Sequence, residues 1–209
     1  MSANFKYKIE HDFGLAPNPF HGYCTLAVCK SSIRQNKNLE TGSWIFGTGC
    51  KKVSGMKGYF QKLIFCMKVE EKLTFNEYWI DSRFQCKKPV INGSLVKMYG
   101  DNIYHQESNG KWIQENSAHS INDNTPNIKH LKKDIDGKYI LISKNFYYFG
   151  KRAIQIPTEF KELICTYGRN WAFTNSNELI ENFIVWLQNN YQKGIIYDDP
   201  ISWDLHLKK

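Results

Sequence analysis

Apolar and polar residues alternate at the start of the chain, where Phe5, Tyr7 and Ile9 interleave with Lys6, Lys8 and Glu10. A period of two predicts a strand with one face buried. It ends at His11-Asp12-Phe13-Gly14. The following stretch, Ala16-Pro17-Asn18-Pro19-Phe20-His21-Gly22, cannot form a regular helix or a central strand, because its prolines lack the backbone donor. A short apolar segment runs from Cys24 to Cys29. Ser43-Trp44-Ile45-Phe46-Gly47-Thr48-Gly49 predicts a buried strand entering a glycine-bounded turn, with Lys51, Lys52 and Lys57 on the loop behind it. Residues 59–70 predict the longest strand. Thr74 and Glu77 have capping-box spacing, which predicts a short helix from Thr74 to Phe84.

The pattern breaks down between residues 86 and 137, apart from a hairpin turn predicted at Asn109-Gly110. Tyr139-Ile140-Leu141-Ile142 and Asn145-Phe146-Tyr147-Tyr148-Phe149-Gly150 predict strands. The C-terminal part is helical in pattern. One helix is predicted from Pro157 to about Tyr167. A second is predicted to be capped by Asn175 with Glu178, to be ended by Gly194, and to bury Leu179, Phe183, Trp186, Leu187 and Tyr191.

The length of 209 residues favours one domain, with a core over about 4–150 and a helical part over about 157–209. A hydrophobic content of 42 % excludes a disordered chain. The net charge of +8 favours phosphate-bearing or acidic partners. The six cysteines form no C-x-x-C pair and no zinc-knuckle spacing with histidine. The N-terminus has no signal-peptide pattern, and no apolar run reaches membrane-spanning length. The expected setting is a reducing cytoplasm, with no membrane partner.

Four constellations carry candidate chemistry. His11 and Asp12, at a strand end, lie near Asn18, His21 and Tyr23 in sequence; the set offers groups for a base edge, a phosphate or a metal, or for bonding loop backbone. Trp44, Thr48, Lys51 and Lys52 surround a glycine turn that permits close approach of a ligand or simply turns the chain; the P-loop spacing is missing. Tyr99, Asp101, Asn102, Tyr104 and His105 combine base-reading polar groups with rings for stacking, or form a capped turn with core tyrosines. Trp112, His119, Asn122, Asp123, Asn127 and His130 lie in a long irregular stretch; His119 has a suitable pKa for acid–base work, with no partner evident and solvent exposure expected. Cys24 and Cys29 sit in apolar surroundings and are read as packing residues. No Gly-x-Ser-x-Gly, Gly-x-Gly-x-x-Gly or deaminase zinc motif is present.

These segments resemble the second of the families called nucleotide modification associated domains. The resemblance rests on His11 to Gly22, Gly42 to Gly49, Phe75-Asn76-Glu77-Tyr78-Trp79 with Asp81, Arg83 and Phe84, and Tyr99 to His105. Ser43 departs from the aspartate expected there, and Cys50 from a serine. The resemblance implies a setting among systems that make or manage modified DNA bases, in phages and bacteria. A Gly-rich strand, a lysine loop and a strand ending in Lys68-Val69-Glu70 are also similar to the half-barrels of PUA-like modules, which bind modified bases.

Together these readings predict an α+β fold: a mainly antiparallel curled sheet, or PUA-like half-barrel, with C-terminal helices. The three motif loops are expected to converge on one cleft that holds a modified base or nucleotide, with Trp79 as a further stacking surface. The partner is a nucleotide or nucleic acid, with modified DNA among the candidates, and no cofactor is implied. The alternative is an enzyme acting on a nucleotide, with His11, Asp12 or His105 as acid or base.

Overall fold

The computed structural model describes residues 3–51, 54–122, 124–165, 170–174 and 176–206. Within these, the strands are β1 (Asn4–Ile9), β2 (Cys24–Leu26), β3 (Trp44–Gly49), β4 (Leu63–Lys68), β5 (Glu71–Thr74), β6 (Tyr104–Gln106), β7 (Trp112–Gln114), β8 (Tyr139–Ser143), β9 (Phe146–Tyr148) and β10 (Trp171–Thr174). The α-helices are α1 (Ser31–Arg34), α2 (Phe75–Ile80), α3 (Leu95–Met98), α4 (Ile128–Ile135), α5 (Asn177–Asn190) and α6 (Trp203–His206). The fold is mixed α and β, its sheets mostly antiparallel and not closed into a barrel. The chain forms two compact units: residues 1–13, 38–70 and 143–209, and residues 14–37 and 71–142.

The first unit is built on an open sheet of order β10-β1-β3-β4-β9. In this sheet β1 and β3 run parallel, while β1–β10, β3–β4 and β4–β9 are antiparallel. The strand β1 forms as predicted and buries Phe5, Tyr7 and Ile9, but its other face is covered as well: Lys6 is buried and Lys8 half-buried, because β1 lies inside the sheet between β10 and β3. The glycines of β3 make room for the protein itself. A Cβ on Gly47 would lie 2.3 Å from the Phe65 ring, and one on Gly49 would lie 2.1 Å from the Tyr59 carbonyl oxygen. The helix α5 buries Ile180, Phe183 and Leu187, spaced at three and four residues, against Phe46, Phe160 and Leu163. Phe183 meets Phe46 edge-on at 6.0 Å.

Several element boundaries differ from the sequence reading. The long strand predicted over 59–70 is confined to Leu63–Lys68, because Ser54–Tyr59 coils into a 3-10 helix. The helix predicted from Pro157 is a 3-10 segment, Thr158–Leu163; Tyr167 lies outside the described residues. Asn175 also lies outside them, and the side chain of Ser176 accepts from the Leu179 N–H as the cap of α5. That helix stops at Asn190, before Gly194. Strand β10 was not anticipated.

The second unit holds the sheet β2-β8-β5 and the hairpin β6–β7. The capping box forms as expected: Glu77 N–H donates to Thr74 Oγ1, and Thr74 N–H donates to Glu77 Oε2 at 2.7 Å. The helix ends at Ile80, and a 3-10 segment, Ser82–Lys87, follows. The hairpin turns at Gly110, whose φ of 79° suits the turn predicted there.

Candidate functional site

The polar motif residues of the second unit meet in a buried network. The Lys87 ammonium donates to the Asn18 carbonyl and the Tyr23 carbonyl, both at 3.0 Å, and to Asn18 Oδ1 at 2.5 Å. Asn18 Nδ2 donates to the Tyr99 carbonyl at 3.0 Å. Both carboxylate oxygens of Asp101 accept from hydroxyls, Thr25 at 2.6 Å and Tyr78 at 2.8 Å. Asn102 Nδ2 donates to the Tyr78 and Phe84 carbonyls. Burial outweighs Lys87 and the hydroxyls at Asp101 and lifts its carboxyl above the usual range. Asn18, Asp101 and Asn102 are each 1 % exposed. The network ties residues 18–25, 78–87 and 99–102 together, and its Asp101 oxygens are already occupied.

The remaining expected site residues are spread over both units. In the first, Asp12 is buried and accepts from the Tyr148 hydroxyl at 2.6 Å and the Ile201 N–H at 3.2 Å, while its neighbour His11 is exposed and stacks on Phe13. Trp44 belongs to the hydrophobic core. Thr48 is buried, and its hydroxyl has no partner among the described residues. Lys51 is exposed, with its ammonium 5.6 Å from the Phe60 ring, and Lys52 lies outside the described residues. In the second, His21 is exposed, and Tyr23 packs edge-on against Phe84. Trp79 and His105 stack at 4.1 Å, with His105 Nε2 2.8 Å from Glu115 Oε1.

A second cluster in that unit has a different character. Strand β2 leads through a short turn into α1, and Cys29 sits on this turn. Cys29 and Lys30 have φ values of 56° and 45°. Left-handed backbone at residues with side chains costs about 1–3 kcal/mol and persists only where surroundings hold it. Here Cys29 N–H donates to Asp134 Oδ1 at 2.7 Å, and the Cys29 carbonyl accepts from Arg34 Nε at 2.8 Å. The sulfur faces an imidazole: Cys29 Sγ is 3.8 Å from His119 Nε2. His119 Nδ1 is 2.9 Å from Asp134 Oδ2, which also accepts from the Tyr104 hydroxyl at 2.9 Å.

Thiol, imidazole and carboxylate are thus in line, the arrangement by which cysteine nucleophiles are activated. The Asp134 bond keeps Nδ1 protonated and aims Nε2 at the sulfur. Burial opposes a charged His119, but the bonds to Asp134 and Cys29 outweigh it and raise its pKa to about 10. Burial likewise disfavours the Asp134 carboxylate, yet His119, Arg34 and the Cys29 N–H keep its pKa below the usual carboxylate range. Helix α4 delivers Asp134, and Asn127 caps its N-terminus by accepting from the His130 N–H.

Arg34 ties the two ends of this cluster together. It is wholly buried and donates to the carbonyls of Cys29, Tyr139 (2.7 Å) and Asp134 (2.6 Å). Burial lowers its pKa to about 10, against the pull of Asp134.

The sequence pattern offers His119 as a possible acid or base without a partner and Cys29 as a packing residue. Its expected exposure is corrected: His119 is 9 % exposed, because Asp134 gives the ring a buried partner. Cys29 is half-buried beside that ring, because the left-handed turn carries it out of the apolar run. Asp134 carried no signal. Among the described residues, no group of three or more His, Cys, Asp or Glu could hold a metal ion, and no helix is long and apolar enough to cross a membrane.

No curated protein and no solved structure matches the chain. One family model does match, over residues 1–207, and it covers both compact units. On that match the chain belongs to the family described as nucleotide modification associated domain 2.

Proposed function

We propose that the protein is a thiol-dependent enzyme of nucleotide or DNA-base modification, with Cys29 as nucleophile, His119 as acid and base, and Asp134 as the group that orients His119. The observation carrying this is the aligned Cys29–His119–Asp134 geometry on a left-handed turn. The family description, nucleotide modification, supports a nucleotide or a base in nucleic acid as the substrate class.

The chemistry that suits the site is attack on a carbonyl carbon carried by the substrate. The Cys29 thiolate forms a C–S bond, and the carbonyl electrons move onto oxygen. As the tetrahedral species collapses, the bond to the leaving nitrogen or oxygen breaks, and that atom takes the proton from His119 Nε2. Water or an exocyclic amine then attacks the thioester, giving its proton to His119 and releasing the thiolate. The net result is hydrolysis or transfer of an acyl-type substituent.

The surroundings favour an anionic substrate. Burial, then the positive charges of His119, Lys133 and Lys129, hold His130 below the usual imidazole pKa, against Asp134. His130 packs edge-on against His119 at 4.8 Å. These lysines lie on α4 beside the thiol centre, where they attract phosphate. A reducing compartment, as in the cytoplasm, keeps Cys29 as a thiol.

The test is incubation with nucleotides and oligonucleotides bearing acylated exocyclic amines, followed by mass spectrometry of protein and products. A product, with an adduct on the Cys29 peptide, is expected from the wild-type protein and absent from Cys29→Ala. Turnover that survives Cys29→Ala contradicts the proposal.

A further inference from the structure

The second unit carries another feature that the thiol centre does not use. A cleft of about 450 Å³ is lined by Trp79, Lys88, Asn92, Glu115 and Asn116, among others. It lies away from the thiol centre along the hairpin β6–β7. Tyr104, which bonds Asp134, is paired with Gln114; the next residue, His105, bonds Glu115 of the cleft wall. Successive strand residues point to opposite faces, so the hairpin separates the two sites.

Trp79 is the aromatic residue of the cleft lining. His105 stacks on its indole at 4.1 Å and 11° between planes, and Glu115 fixes His105 in turn. Lys88 Nζ lies 3.4 Å from the indole centroid. At those two distances the ammonium and the imidazole cannot share one face, so Lys88 covers the face opposite His105. That face is held by one long, flexible side chain, whereas the His105 face is pinned. Burial disfavours the Lys88 charge, and Glu115 supports it.

We infer that this cleft is a binding site for a nucleotide whose base carries an amino group, separate from the thiol centre. The base takes the place of Lys88 on the indole, where aromatic stacking suits any planar heterocycle. The displaced ammonium then needs an anion, and the nucleotide phosphate supplies it. Glu115 uses Oε1 on His105 and keeps Oε2 to accept from an amino group; the Asn92 and Asn116 carboxamides offer further donors and acceptors. The same chemistry comes from a free nucleotide or from a base turned out of a nucleic-acid strand.

The site is tested by calorimetric titration on the full chain carrying Cys29→Ala, so that no turnover consumes the ligand and the result is independent of the thiol chemistry. The probes are AMP, GMP, CMP and dTMP, the corresponding nucleosides, and a short single-stranded oligonucleotide. Saturable binding is expected for AMP, GMP or CMP, or for the oligonucleotide, which identifies the source. Trp79→Leu is expected to weaken it at least tenfold, the worth of one stacked base. Lys88→Met is expected to weaken the monophosphate at least fivefold and leave the nucleoside unchanged. Absence of saturable binding by every probe, or binding that neither substitution alters, overturns the inference.

Discussion

Gly137 leaves the space that the Arg34 guanidinium fills: a Cβ on Gly137 would lie 2.4 Å from Arg34 Cζ. The close approach lets Arg34 reach the carbonyls of Cys29, Tyr139 and Asp134 together. Gly137→Ala is therefore expected to displace the guanidinium and leave some of these carbonyls unpaired. A loss of about 1–3 kcal/mol in urea unfolding is predicted, together with slower alkylation of Cys29. Arg34→Met removes the clamp outright and is expected to cost about 3–5 kcal/mol.

The His119–Asp134 pair gives stability a pH dependence of known sign. His119 is raised from 6.5 to about 10 on folding, so its contribution is complete below about pH 6.5, declines above it and is gone beyond about pH 10. Asp134 is lowered from 3.8, so its contribution is present above that value and lost as the pH falls through its folded-state value. The stability difference between wild type and His119→Gln should shrink between pH 6.5 and 10, by up to about 1.4 kcal/mol per pH unit. Urea unfolding across that range checks it; a difference independent of pH would contradict the pairing.

Asp101 and Lys87 are predicted to matter for folding. Asp101→Ala strips the Thr25 and Tyr78 hydroxyls of their acceptor and leaves buried Lys87 without its nearby carboxylate; a loss of about 2–4 kcal/mol is expected. Lys87→Met should cost a similar amount. Thermal unfolding measures both. Full stability of Asp101→Ala with loss of nucleotide binding alone would restore Asp101 as a ligand-reading group.

Local signals in the sequence were sound where a short window decides the outcome. The strand β1 with its buried Phe5, Tyr7 and Ile9, the Thr74–Glu77 capping box, the Asn109-Gly110 turn and the buried Phe183–Leu187 stripe all appear in the structure, although the other face of β1 is buried as well. The Asp101-Asn102 motif marked a special place, but burial turned its polar groups inward to neighbouring backbone and hydroxyls. The thiol centre was illegible because it is long-range. Cys29 and His119 are 90 residues apart, and Cys29 and Asp134 are 105 apart. No spacing rule reaches across such separations, and a lone cysteine after an apolar run has the pattern of a packing residue. Left-handed backbone at Cys29 and Lys30 has no signature either, since neither is glycine or asparagine.

Removing the orienting carboxylate separates its roles. Asp134→Asn keeps an acceptor for the Cys29 N–H and loses the charge that favours a protonated His119. It is expected to slow Cys29 alkylation at neutral pH by about tenfold or more while the chain stays folded by circular dichroism. An unchanged rate would mean that Asp134 serves the turn alone.

The most direct measurement is the rate at which each cysteine reacts with iodoacetamide in the native protein at pH 7, read peptide by peptide by mass spectrometry. Cys29 and Cys86 are the two partly exposed thiols; the other four are buried. With His119 acting on Cys29, that residue is predicted to react at least ten times faster than Cys86, and His119→Gln is predicted to abolish the advantage without changing Cys86. Equal rates at the two thiols, or a Cys29 rate indifferent to His119, would contradict a nucleophilic role for Cys29.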